Sequence, residues 1–141
     1  MDLYTLKLCQ PIAMARADLV GVTEALAIAE SSIEGYECVL GWDADTVARD
    51  AGDGPRLVRP LLRPSMAAST VSAGTGFELP AGSYLFCQAG SASALGADGV
   101  VEALEWFLRE AWWMRSAATG PVFLRLVRED GKTAVQVLRS Q

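Results

Sequence analysis

The chain holds no histidine among its 141 residues, and its three cysteines, Cys9, Cys38 and Cys87, stand far apart with no C-x-x-C pair. Without histidine the commonest general base, the Ser-His and Cys-His nucleophile pairs and imidazole-based metal sites all fall away. Each cysteine lies in an apolar run rather than directly beside Lys or Arg, so buried thiols are expected in preference to reactive ones. Asp43-x-Asp45 begins like a calcium loop, but Val47 and Ala48 stand where such a loop needs an oxygen ligand and its glycine. Ser91 and Ser93 have no base to activate them, and no Walker or Rossmann glycine pattern occurs. The sequence therefore predicts no metal, no cofactor and no catalytic residue. What remains is a set of carboxylates, arginines and aromatics that could grip a ligand.

The elements that must position these groups can be read from periodicity. Residues 3–10 carry Leu3, Tyr4, Leu6 and Leu8 in a β-prone run stopped by Pro11. From Asp18, read as an N-cap, Leu19, Val22, Leu26, Ala29 and Ile33 recur at three- and four-residue spacing and predict a helical face ending at Gly35. Residues 36–42 and 57–62 read as strands, the second at an edge because of Pro60. The small, turn-rich residues 67–76 suit a linker. Beyond it a strand over 79–89, a helix over 98–115 capped by Asp98, and a hairpin of 121–128 and 133–139 turned at Asp130-Gly131 repeat the β-α-β-β order.

The sequence also matches itself. A shift of 78 superposes Cys9-Gln10 on Cys87-Gln88, Gly21-Val22 on Gly99-Val100, and Glu24-Ala25-Leu26 on Glu102-Ala103-Leu104. A shift of 77 brings Gly54, Val58 and Leu61 onto Gly131, Val135 and Leu138. The expected fold is α+β in one domain over residues 1–141: a tandem duplication of a β-α-β-β unit, with repeats at 1–66 and 77–141 joined by 67–76. Its strands form an antiparallel sheet with both helices on one side, because neither unit can close a core alone.

The segment Glu78-Leu79-Pro80-Ala81-Gly82-Ser83-Tyr84-Leu85-Phe86 resembles the strand that opens the second half of GyrI-like domains, which also serve as effector-binding modules of AraC-type and MerR-type transcription regulators. The resemblance implies a duplicated β-α-β-β fold that holds small, often hydrophobic or cationic molecules in the groove between repeats. By position it implies an aromatic wall of Tyr84, Phe86 and the helix from Trp106 to Trp113. The family's acidic residue on the strand after that helix has no counterpart in Pro121-Val122-Phe123-Leu124-Arg125, which moves the expectation toward an anionic or neutral ligand.

On the second helix Val101, Leu104, Leu108, Ala111 and Trp112 form the core stripe, while Trp106 and Trp113 lie seven apart on another face beside Glu102 and Arg109. Such an indole pair suits a partner interface, a ligand wall, or a surface covered by residues 67–76. The 78-residue shift puts Glu30 and Glu34 where Leu108 and Trp112 sit. These acids either end the first helix in water or line a cleft, where Arg115 would pair with one of them.

The leading expectation is a stand-alone small-molecule-binding protein, with Tyr84, Phe86 and Trp112 as apolar contacts and Arg115, Arg125, Glu30 and Glu34 as polar ones. The alternatives are an interaction module or homodimer through Trp106 and Trp113, and a strained-ring hydrolase relying on Glu30, Glu34 or Cys87. A net charge of −5 argues against nucleic acid as a direct partner. A 51% apolar composition excludes a disordered chain. With neither a leader nor a bilayer-spanning stretch apparent, a cytoplasmic protein off the membrane is expected.

Overall fold

The computed structural model describes residues 1–43, 48–51, 54–57, 64–70, 76–113 and 120–141. In chain order these form β1 (Tyr4–Leu8), β2 (Ile12–Arg16), α1 (Val22–Glu30), β3 (Glu37–Trp42), β4 (Ala48–Ala51), β5 (Gly54–Leu57), β6 (Met66–Ser69), β7 (Gly76–Leu79), β8 (Gly82–Ser91), α2 (Ala92–Trp113), β9 (Val122–Glu129) and β10 (Lys132–Ser140). Eight strands make one antiparallel sheet in the order β1-β8-β10-β9-β3-β6-β2-β7, and β4 pairs with β5 in a separate hairpin. The protein is thus α+β, an antiparallel sheet carrying two helices. No helix among the described residues is long and apolar enough to cross a membrane.

The connections force this sheet to curl. β7 and β8 stand six positions apart in the strand order, yet only Pro80 and Ala81 join them; β1 and β2 are equally far apart and three residues connect them. Two or three residues span only about 10 Å, so the sheet bends until its ends meet. Phe77 on β7 and Phe123 on β9 stand four strands apart, about 19 Å in a flat sheet, but their rings meet edge to face at 6.3 Å between centroids.

Curling gives the inner strands of the order, from β8 to β6, two buried faces, because alternate side chains point to opposite sides. The outer face carries Leu40, Trp42, Leu85, Cys87, Leu124, Leu126, Val135 and Val137, and both helices pack on it. The inner face carries Met14, Val39, Ala68, Leu79, Tyr84, Phe123 and Leu138, with no helix among them. Eight strands leave an interior just wide enough for side chains to fill. Gly41 marks how tightly it is filled, since a Cβ there would stand 2.5 Å from Met66 Cγ and 3.1 Å from Phe123 Cε1.

Several expectations change. α1 starts at Val22 with Gly21 at its N-cap and stops at Glu30, so Leu19 and Ile33 are exposed and Val22, Ala25, Leu26 and Ala29 form the buried face. α2 begins six residues before Asp98 and is interrupted at Gly96, whose φ of 66° is not helical. β2 was not anticipated, and β6 occupies the start of the expected linker. The expected strand at 57–62 contributes Leu57 to β5, and its other residues lie outside those described. Of the internal match, Glu24-Ala25-Leu26 and Glu102-Ala103-Leu104 fall on helices with the same burial, Glu out and Ala-Leu in. The strand blocks do not correspond: Cys9 lies between β1 and β2 but Cys87 within β8, and Gly54 opens β5 but Gly131 sits in the β9–β10 turn.

Candidate ligand cavity

β3 and β6 pair so that Cys38 faces Ser69 and Leu40 faces Ala67, all four side chains standing on the outer face or buried against it. Tyr36, two residues before Cys38, continues the same side. The chain leaving β2 crosses this floor before entering α1, and the Ala17 N–H donates to the Ala67 carbonyl at 2.9 Å. α1 presents Ala25 from above. Alanine on the helix and alanine on the strand leave a gap where larger residues would have met. The result is a cavity of about 230 Å³ walled by Val20, Ile28 and Leu40, with Asp18 at its edge. Two hollows adjoin it along residues 16–21, one of about 350 Å³ bordered by Arg16, Met66 and Phe77 and one of about 240 Å³ bordered by Gly21, Glu24 and Pro64.

The cavity floor has a polar end. Tyr36, Cys38 and Ser69 are all buried, at 4%, 4% and 2% exposure, and the Tyr36 phenol lies close enough to Cys38 and Ser69 for both to influence its ionisation. Burial pushes the Tyr36 hydroxyl up to about 12, with the neighbouring Cys38 acting in the same direction. Burial likewise pushes the Cys38 thiol up. Both groups keep their protons at neutral pH, so the floor is polar without being charged. Hydroxyls of this kind donate or accept as an occupant requires.

The residues anticipated as ligand contacts are not gathered in one groove. Tyr84 and Phe86 point to the inner face whereas α2, the helix of Trp112, packs on the outer one. Tyr84 is 2% exposed and its hydroxyl donates to the Pro80 carbonyl at 2.7 Å, clamping the β7–β8 corner. Arg125, also on the inner face, donates from Nε to the Glu37 carboxylate and from Nη1 to Gln136 Oε1 at 3.0 Å, and Gln136 in turn reaches Gln88. Its charge is already matched.

Glu30 is exposed and 3.5 Å from Arg128; the exposed Glu34, beyond the end of α1, accepts from the Asp130 and Gly131 amides and caps the β9–β10 turn. Neither acid enters a cleft, because α1 ends before its last expected turn. Trp106 is half-buried against the outer core. Trp112 and Trp113 close α2 with side chains outside the described residues, and Arg115 lies outside the described residues altogether. Cys87 is buried in the outer core and burial pushes its thiol up, whereas Glu30 and Glu34 are exposed.

Tyr36 and Cys38 were within reach of sequence reasoning, since alternation over 36–42 places them with Leu40. Ser69 was not, because it lies in a run of small residues that reads as a linker. Comparison with protein-family models, curated proteins and solved structures finds no match to the chain.

Proposed function

We propose that this chain is a small-molecule-binding protein whose ligand sits between α1 and the β3–β6 floor rather than against Tyr84, Phe86 and Trp112. The observation that carries this reading is the cavity of about 230 Å³ with apolar walls and the buried Tyr36, Cys38 and Ser69 at one end. Apolar concavities with a few convergent polar groups are the usual form of small-molecule sites. The tandem β-α-β-β architecture and the kinship with GyrI-like domains stay part of the proposal. Strand order supports them: β2, β6 and β3 flank α1's half as β8, β10 and β9 flank α2's half, about the central β3–β9 pair. Free cysteines, two of them buried, support a reducing, cytoplasmic setting.

Thermal melts against a library of small apolar compounds test the reading. A true ligand at a hundred times its Kd adds about 2.7 kcal/mol, which raises Tm by roughly 5–10 °C in a domain of this size. A library with no compound that raises Tm in a concentration-dependent way overturns it.

A further inference from the structure

Resting on that reading of the site, we propose that the cavity takes a neutral one- or two-ring aromatic bearing a single hydroxyl or ring N–H, of phenol to indole size, and rejects its charged analogues. Size sets the upper limit. An apolar cavity of roughly 150 Å³ is enough to bind benzene, and the volume here is about 230 Å³, room for one further ring or substituent.

Strand register sets the polarity pattern. The Cys38–Ser69 pair with Tyr36 makes one end of the floor hydrogen-bonding, and the next outward-facing pair, Leu40–Ala67, makes the other end apolar. A ligand that matches both ends has one polar group at the edge of an apolar body. Charge sets the exclusion. Among the described residues Asp18 is the one carboxylate bordering this cavity and is exposed at its edge, and no described Lys or Arg borders it. A carboxylate ligand would be buried without a counter-charge, and an ammonium would lose its water to reach a floor of uncharged hydroxyls. The protons held on Tyr36 and Cys38 keep that floor neutral.

The test is calorimetric titration of the full chain at neutral pH with phenol, benzyl alcohol and indole against benzoate and benzylamine. It is repeated in Ile28→Trp, which plugs the cavity from a half-exposed wall position, and in Tyr36→Phe, with circular dichroism to show that each variant folds. Neutral probes should bind at least about tenfold more tightly than charged ones. Ile28→Trp should abolish binding, and Tyr36→Phe should weaken phenol and indole by about two- to tenfold. Charged probes that bind as well as neutral ones and are lost in Ile28→Trp would overturn the ligand class while leaving the site in place. Neutral binding untouched by both substitutions would overturn class and site together. If none of the five probes binds while a library compound does so and is lost in Ile28→Trp, the class alone is wrong.

Discussion

The two helices lie on the same outer face of one sheet, but they close their halves differently. α2 lowers Val100, Leu104, Phe107 and Leu108 into the core over 22 residues. α1 has nine residues and meets its strands with Ala25 and Ala29 beside Val22 and Leu26. Large side chains fill the space under α2, and small ones leave the hollow under α1. The comparison separates two uses of a similar arrangement: one half is packed for stability, the other gives up packing for a cavity that something else can occupy.

The strongest way to break this contrast is to shrink the packed half and enlarge a side chain in the hollow one. Phe107 is fully buried, so Phe107→Ala should cost about 3–5 kcal/mol, read as a lower urea midpoint with unchanged slope. Ala67→Val adds volume facing the cavity and should change stability by less than about 1 kcal/mol, against the 1–3 kcal/mol that overpacking costs in a filled core. Equal penalties for the two would mean that the halves are packed alike.

The inner face provides a second comparison. Its interior is filled by the curl, and Gly41 leaves no room beside Met66 and Phe123. Gly41→Ala should therefore destabilise by about 1–3 kcal/mol, where adding bulk at Ala67, a short way along the paired strand, does not. A neutral Gly41→Ala in the same urea titration would show that the inner face has slack, and the distinction between the faces would go.

How much of this was legible in the sequence depends on whether local pattern or long-range closure decides. The β9–β10 hairpin was readable because Asp130 and Gly131 both adopt positive φ, which an Asp-Gly pair tolerates. Spacing placed Val101, Leu104, Leu108 and Ala111 on the buried stripe of α2, where they are, but missed Val100, Ala103 and Phe107 beside them; the Trp112 side chain lies outside the described residues. The curl was not, because two short connections impose it on strands that local pattern cannot order in space. For the same reason Tyr84 and Phe86 looked like ligand walls: alternation shows that they share a face, but only closure shows that the face is the packed interior. β6 was missed because Ala67, Ala68 and Ser69 are small. They are small because the strand lies in mid-sheet with a cavity on one side and the filled interior on the other.

The floor of the hollow half provides the last comparison, through its dependence on pH. Tyr36 ionises at about 12 when folded, against the ordinary value of 10.0. As pH rises past 10 the unfolded chain releases this proton while the folded chain retains it, so the unfolded state gains and stability falls. The contribution is fully present below the unfolded value and is gone once pH passes the folded one, which places the window between about pH 10 and 12. Over that window the loss attributable to Tyr36 should reach at most about 3 kcal/mol, measured by urea unfolding at stepped pH. Cys38 shifts in the same direction, so Tyr36→Phe should make the alkaline decline shallower without abolishing it. A decline as steep in Tyr36→Phe as in the parent would mean that the phenol is no more buried than in the unfolded chain. In that case the polar end of the cavity would be open to water, and the hollow would lack the uncharged, enclosed floor that distinguishes it from the packed half.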